Sequence, residues 1–291
     1  MSCNQKAYEV VSISGRYSKS ARFLYRTIPG RMLLGCVVKP RVSRFAGAIA
    51  DSGVSRVFIR GFIKRNCIKM EDFQEAKYRS FNAFFSRKVR PELRPFPTNG
   101  SELAAPCDGK LTVYPITADG VFNIKNSMYS IEELLCDNVL AREFIGGVCL
   151  IFRLTPDDYH RYAYIDDGSS EQYKQISGVL HTVRPIAQER YKVFLRNSRE
   201  YEVMDTVNFG RVVQMEIGAL FVGRIVNRDI SDSKRQFKRG DEKGMFEFGG
   251  STVVMLFQKD SVVLDEVFYK NTRENKETIV RMGNRIGVKH V

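Results

Sequence analysis

The chain has 291 residues and a formal net charge of +13, from 46 Lys and Arg against 33 Asp and Glu. Hydrophobic residues make up 43% and charged residues 27%, which excludes disorder by composition and allows one large domain or a domain with an appendage. The charge excess indicates nucleic acid, an anionic lipid surface or simple solubility, and does not bear on the fold.

Basic amphipathic helices are predicted for the first part of the chain. Between positions 16 and 69, Lys and Arg recur against a single acid, Asp51, with apolar residues between them at helical spacing. Pro29-Gly30 and Pro40 divide this stretch into short helices. No apolar run is long enough to span a bilayer, and no secretory signal is expected. We expect residues 1–98 to form a helical region that associates with an anionic membrane surface, with a solvated basic face as the open alternative.

A further helix is predicted over residues 70–85, and from about Leu103 the pattern changes to strands. Short β-branched runs alternate with Gly, Asp and Asn turns, and residues 131–136 favour a helical turn. The predicted strands are 110–114, 148–154, 179–183, 191–195, 211–217, 220–226 and 252–257. The predicted fold class is therefore α+β, with a β-rich catalytic domain over residues 99–291.

Three short segments contain residues suited to catalysis. Asp108 lies in an Asp-Gly turn before a strand, and His160 follows a strand with acids and Arg161 beside it. Ser251 follows Gly249-Gly250 at the start of an apolar strand. Together they supply an acid, a base and a hydroxyl, although each segment is also typical of an ordinary turn or loop.

Metal chemistry and disulfides are not expected. The six cysteines form no C-x-x-C pair, and a chain of this size needs no disulfide to fold, so we interpret them as reduced thiols of a cytoplasmic protein. The only histidines are His160, His181 and His290, too few for a site of several histidines. His181, in an apolar run, favours a structural role, and His290 has no predicted role.

Four blocks in order resemble the signature segments of phosphatidylserine decarboxylases. The similarity extends over roughly residues 70–260 and includes positions 181–187 and 209–223. The blocks are Phe81-Asn82-Ala83-Phe84-Phe85-Ser86-Arg87-Lys88, Ala105-Pro106-Cys107-Asp108-Gly109-Lys110, Phe152-Arg153-Leu154-Thr155-Pro156-Asp157-Asp158-Tyr159-His160-Arg161 and Phe248-Gly249-Gly250-Ser251-Thr252.

The resemblance implies decarboxylation of phosphatidylserine to phosphatidylethanolamine by a pyruvoyl group, without a metal or pyridoxal phosphate. Members of the family make this group from the serine of a Gly-Ser-Thr motif, here Ser251, by cutting the chain after Gly250. The implied products are a large subunit, 1–250, and a small subunit, 251–291. His160 is then the base for Ser251, Asp108 orients the imidazole, and Arg161 is a candidate for binding the lipid phosphate or carboxylate.

One position departs from the family pattern. Many relatives carry a second histidine three residues after the first, and this chain has Ala163 there. If relatives divide self-cleavage and decarboxylation between two histidines, His160 serves both steps here, or another residue substitutes.

Other functions stay open on the sequence. The stretch 220–257 is similar in texture to biotinyl and lipoyl carrier domains, which would make the chain a non-enzymatic carrier or adaptor. A pyruvoyl enzyme acting on a small amino acid is a second alternative. Nucleic-acid binding rests on charge alone, and no such partner is expected. For the decarboxylase we expect a peripheral position on the cytoplasmic face of the membrane and allow a homodimer.

Overall fold

The structure is a computed structural model that describes residues 8–12, 19–124, 127–220, 224–228, 234–249 and 251–290. Its first part is mainly helical, with short 3₁₀ turns at Gly53–Arg56, Met70–Asp72 and Pro91–Leu93. The regular elements there are β1 (Val10–Ser12), α1 (Lys19–Arg26), α2 (Ile28–Val37), α3 (Pro40–Asp51), α4 (Val57–Arg65) and α5 (Phe81–Phe85).

The helix starts follow from local capping chemistry. The Thr27 hydroxyl accepts a hydrogen bond from the Gly30 amide at 3.1 Å, and Pro29 lies in the first turn of α2. Pro40 begins α3, where its missing amide hydrogen costs no helical hydrogen bond. The prolines that divide the segment in the sequence therefore lie at helix starts.

The described residues of the second part are rich in strands and form five short helices. The helices are α6 (Ile131–Leu135), α7 (Asn138–Arg142), α8 (Pro185–Gln188), α9 (Val193–Arg196) and α10 (Glu266–Arg273). The first eight strands there are β2 (Glu102–Ala104), β3 (Gly109–Pro115), β4 (Val121–Ile124), β5 (Ser127–Ser130), β6 (Val148–Leu154), β7 (Arg161–Ala163), β8 (Gly168–Ile176) and β9 (Arg199–Thr206). The others are β10 (Gly210–Gly218), β11 (Ile225–Asn227), β12 (Gln236–Phe237), β13 (Glu242–Phe246), β14 (Ser251–Phe257), β15 (Val262–Leu264), β16 (Lys276–Val280) and β17 (Arg285–Lys289).

A nine-stranded antiparallel sheet organises this part, in the order β1-β16-β3-β6-β14-β10-β9-β8-β12. Strand β14 lies near its middle, paired over its whole length with β6 and β10, and all seven of its residues are buried. A three-stranded sheet, β11-β13-β7, contributes a second layer. These elements confirm the α+β class.

The helical part is joined to the sheet at several points. Strand β1 pairs with β16, and the Leu180 amide donates to the Val38 carbonyl at 2.9 Å. Helices α3–α5 share a separate apolar cluster that includes Phe81, Phe84 and Phe85 and also takes in Tyr159 from the β-rich part. The division at residue 98 stays a prediction.

Most of the predicted elements are confirmed, three are corrected and a fourth is confirmed only in part. The predicted helix 70–85 is wrong over its middle, because Phe73 bridges to Val89 and the Gln74 amide donates to the Lys88 carbonyl. The predicted strand 191–195 contains the start of α9, and 179–183 forms one bridge, from Val179 to Asn197. The buried Asn197 side chain explains why 179–183 is not a full strand. It hydrogen-bonds to the amide and the carbonyl of His181, which a neighbouring strand would otherwise pair with. Of 220–226, only Ile225 and Val226 lie in a strand, and 221–223 are outside the described residues.

Candidate active site

Ser251 begins the central strand. It pairs with Leu154 of β6 and Gly218 of β10, and it is fully buried. Its hydroxyl has no hydrogen-bond partner among the described residues, a costly state for a buried polar atom. Gly249, two residues before the strand begins, has a φ of +145°. This backbone conformation favours glycine, and few other residues adopt it. Gly250 itself lies outside the described residues.

His160 is a buried, neutral imidazole with one nitrogen oriented by the backbone. Nδ1 lies 2.9 Å from the carbonyl oxygen of Asp158. A carbonyl only accepts, so Nδ1 carries the proton and Nε2 has the free lone pair of the neutral ring. Nε2 is buried and has no partner among the described residues. Burial lowers the pKa of His160 to about 3, which keeps the ring neutral at physiological pH. The site therefore presents a neutral imidazole with an unshared lone pair at Nε2, the form that a general base requires.

His160 and the segment leading to Ser251 are joined by backbone and ring contacts. The Phe246 amide donates to the His160 carbonyl at 2.9 Å. The Phe85 ring lies 4.2 Å from the imidazole and 5.4 Å from Phe248, measured between centroids. The fold thus brings two of the three predicted catalytic segments together around Phe85, across a long separation in sequence.

Asp108 makes different contacts from those expected. Arg94 binds its carboxylate at two points, 2.8 Å from Nε and 2.7 Å from Nη2, and the Met282 amide donates to it at 2.9 Å. Among the described residues, the imidazole is oriented by the Asp158 carbonyl and has no hydrogen bond to Asp108. A catalytic role for Asp108 stays a prediction.

The Asp158 carboxylate holds the loop that carries His160. The Asp158 carboxylate accepts from the Thr155 amide at 2.6 Å and from the Lys110 ammonium at 2.7 Å. This carboxylate fixes the turn that carries the Asp158 carbonyl. Lys110 and Asp158 thus support the position of His160. The sequence did not predict this role, although both residues lie in the segments 105–110 and 152–161 that resemble the family.

The Arg161 guanidinium is hydrogen-bonded to other groups of the protein. Its Nε and Nη2 donate to the Ser86 carbonyl at 2.9 and 2.7 Å, and Nη1 donates to Glu242 at 2.6 Å. These contacts join β7, β13 and the end of α5. Substrate binding by Arg161 stays a prediction, and its hydrogen bonds to Ser86 and Glu242 favour a structural role.

Ala163 lines a cavity of about 230 Å³ together with Arg94, Arg161 and Tyr162. The position where many relatives carry a second histidine therefore lines the same cavity as the arginine that binds Asp108. His181 is 4% exposed and stacks on Tyr191 at 4.4 Å between centroids. Both its burial and this stacking fit the structural role predicted for it.

A buried ion network lies on the same sheet face as Ser251. Glu216 is two residues from Gly218, the partner of Ser251, so alternation along β10 places both on one face. Lys243 of β13 donates to both Glu216 oxygens at 2.9 and 2.8 Å and lies 3.6 Å from Glu202. Burial raises the pKa of Glu216 to about 7, although Lys243 opposes the shift. Nothing in the local sequence marks these residues, because they meet only through sheet register.

No cluster of three or more His, Cys, Asp or Glu side chains suited to a metal ion occurs in the described ranges. No helix of the described chain is long and apolar enough to cross a bilayer.

Comparison with known proteins identifies related chains over almost the whole length. The family model for phosphatidylserine decarboxylase matches residues 81–288. A phosphatidylserine decarboxylase proenzyme 2 of Clostridium acetobutylicum is 47% identical over 267 residues, covering 91% of this chain and 90% of the relative. Phosphatidylserine decarboxylase proenzymes of Ruminiclostridium cellulolyticum and Clostridium perfringens are 38% and 37% identical, over 97% and 98% of this chain and 94% and 97% of their own lengths.

Proposed function

The chain belongs to the phosphatidylserine decarboxylase family, and we propose that it cuts itself between Gly250 and Ser251 to convert Ser251 into a pyruvoyl group. The enzyme converts phosphatidylserine to phosphatidylethanolamine with loss of CO2. The observation that supports Ser251 as the nucleophile most directly is its buried hydroxyl, which has no hydrogen-bond partner among the described residues and lies at the first residue of a core strand.

Self-cleavage begins with the His160 base. Nε2 takes the proton of the Ser251 hydroxyl, and the oxygen attacks the carbonyl carbon of Gly250. His160 gives this proton to the nitrogen of residue 251, so the Gly250–Ser251 peptide bond breaks and an ester forms. Loss of the Cα proton of residue 251 to a base, with cleavage of its Cβ–O bond, leaves a chain that ends in the Gly250 carboxylate and a dehydroalanine at position 251. Hydrolysis of that residue releases ammonia and gives the pyruvoyl group.

The fit of the site to this chemistry rests on burial. Burial keeps the His160 ring neutral, so that Nε2 is free to take the proton of the Ser251 hydroxyl. After the cut, the small subunit is expected to stay bound, because β14 is paired along both edges. When present, the pyruvoyl group supplies the carbonyl that condenses with the substrate amine and accepts the electrons left by CO2. His160 would hold at Nε2 a proton taken from the substrate ammonium and would pass it to the substrate carbon.

We further propose that helices α2–α4 lie on an anionic membrane. Their outward apolar side chains include Ile28, Met32, Phe45, Val57 and Phe58, each at least 62% exposed. The exposed cations of these helices include Arg41, Arg44, Arg60, Lys64 and Arg65. Isolated apolar groups on a surface are ordinary, but a cluster of this kind among cations fits an anionic bilayer.

An apolar groove supports a lipid substrate over a small amino acid. It has a volume of about 380 Å³ and extends from Ile49 and Phe58 to Phe62, Phe81 and Phe248. Phe248 is three residues before Ser251, so the groove reaches from the exposed helices to the scissile segment. An acyl chain in this groove would hold a headgroup near position 251.

The test is CO2 release from phosphatidylserine in vesicles, with Ser251→Ala beside the wild type. We expect release by the wild type only, and far less from free serine. A wild-type chain that releases no CO2 from either compound would favour the carrier alternative. Release from serine alone would favour a small-amino-acid decarboxylase.

A further inference from the structure

Five Lys and Arg side chains are buried in the described part of the chain, and one of them is unlike the rest. Arg94, Lys110 and Lys243 are paired with carboxylates at 2.7 to 2.8 Å. Arg199 donates to several backbone carbonyls, among them Leu134 at 2.8 Å. The fifth is Arg87, which has no carboxylate within ion-pair distance among the described residues.

Arg87 is stacked between rings and poorly hydrogen-bonded. It is 2% exposed, with its Cζ 4.1 Å from the centroid of Phe73 and 4.9 Å from that of Phe84. Nη1 makes long contacts with the carbonyls of Phe84 and Phe85, at 3.5 and 3.4 Å. Nε and Nη2 are buried and have no partner among the described residues. Burial lowers the pKa of Arg87 to about 10, so the group remains a cation near neutral pH.

The two unpartnered nitrogens form one edge of the guanidinium. Arg94 and Arg153 use this same Nε and Nη2 edge to bind carboxylates at two points, those of Asp108 and Glu277. A buried guanidinium with this edge unsatisfied lowers stability, and the edge matches two oxygens of a carboxylate or phosphate. The arrangement is therefore suited to binding an oxyanion.

Arg87 lies at the candidate active site. Its Nη1 contacts the carbonyl of Phe85, whose ring lies 4.2 Å from the His160 imidazole. Burial is the largest cause of the lowered pKa of His160, and the positive charge of Arg87 lowers this pKa further. An oxyanion bound at Arg87 would thus lie near the proton-transfer site.

We propose that Arg87 binds the phosphodiester of phosphatidylserine through Nε and Nη2, a role that rests on the proposed function. The substrate carries two oxyanions, the carboxylate and the phosphodiester. The carboxylate loses its charge as CO2 leaves, so a cation on it would stabilise the ground state over the transition state. The phosphodiester keeps its charge throughout, so a cation on it improves binding without slowing the chemical step. A short run of bonds joins the phosphate to the reacting amine, which fits a cation close to His160.

The experiment uses the cleaved enzyme with short-chain, monomeric phosphatidylserine, which separates headgroup binding from membrane binding. Arg87→Met is compared with Arg87→Lys, which keeps the charge but loses the planar edge, and with Arg90→Met, a nearby exposed arginine. Two competitors separate the anions: glycerophosphoethanolamine has the phosphodiester alone, and O-methylserine has the carboxylate alone.

We expect Arg87→Met to cleave itself like the wild type and to raise KM roughly 10- to 100-fold, with kcat within about threefold. Arg87→Lys should be intermediate and Arg90→Met unchanged. Inhibition by glycerophosphoethanolamine should weaken in parallel with KM, and inhibition by O-methylserine should not. The thermal midpoint of Arg87→Met should not fall, because an unpaired buried charge is removed.

Unchanged KM in both Arg87 variants, together with a lower thermal midpoint, would overturn the proposal and make Arg87 a structural cation. Selective loss of O-methylserine inhibition would also overturn it. A wild-type chain that neither cuts itself nor releases CO2 would contradict the proposed function instead, and that outcome is read from the wild type alone.

Discussion

Helices α2–α4 and the strands around β14 have opposite patterns of exposure. The helices leave large apolar side chains such as Met32 and Phe58 in solvent, at 75% and 62% exposure. The strands bury ionisable groups, among them Lys243 and Glu216, which are at most 1% exposed. Both arrangements cost free energy in an isolated, water-soluble chain. The comparison separates the two proposals: the exposed apolar side chains support membrane binding by the helices, and the buried charges support chemistry in the strand region.

The largest expected effect concerns the base in the strand region. His160→Gln should slow self-cleavage by about 10²- to 10⁴-fold, because a positioned base is lost while the size of the side chain is nearly kept. The uncut fraction is followed by gel electrophoresis after cell-free translation. His290→Gln is the control, since His290 is exposed near the end of the chain. Cleavage of His160→Gln at the wild-type rate would show that another group is the base.

Removing the cation of the buried network should strongly destabilise the same region. Lys243→Met leaves Glu216 and Glu202 buried without their ammonium partner, and we expect the free energy of unfolding to fall by about 3–5 kcal/mol. Urea unfolding in the Ser251→Ala background measures this on a single chain. Lys276→Met removes an exposed pair with Glu274 and should cause no measurable change. Equal effects of the two changes would contradict the contrast between buried and exposed charge.

In the helical region, substitution should alter membrane binding and leave self-cleavage intact. Phe58→Ser should weaken binding to anionic vesicles roughly tenfold or more, because an exposed aromatic side chain can bury its apolar area only in the bilayer. Vesicle sedimentation measures binding, and the cleaved fraction serves as the internal control. Val207→Ser is the matched variant, since Val207 is 70% exposed in the β-rich part. Equal losses for both variants would argue against a specific membrane face.

The smallest expected effect is that of pH on self-cleavage. Burial lowers the pKa of His160 to about 3, and a base is active above its pKa, so the active form prevails throughout the range from about pH 5 to 8. The rate of cleavage should therefore change by less than about threefold over this range, in the same cell-free assay. A tenfold loss per pH unit below about pH 6.5 would indicate an imidazole with an ordinary pKa.

Sequence patterns predicted the central features better than the supporting ones. The apolar run from Thr252 to Phe257 identified the core strand because burial on both faces leaves a continuous apolar signal. The run at 179–183 has a similar pattern, but its pairing is replaced by the Asn197 side chain, a contact that no local pattern encodes. In the site, motifs indicated His160 and Ser251, whereas Lys243 and Glu216 meet through sheet register alone. The partner of Asp108 could not be predicted either, because Arg94 lies in a loop and meets Asp108 only in the folded chain.

The most direct test of self-processing is the intact mass of freshly purified wild type beside Ser251→Ala. We expect the wild type to give two chains, 1–250 and 251–291, the smaller one with the mass of a pyruvoyl terminus, and the variant to give one uncut chain. A single uncut chain in both samples would contradict self-cleavage at Gly250-Ser251. Two chains in both samples would contradict Ser251 as the nucleophile.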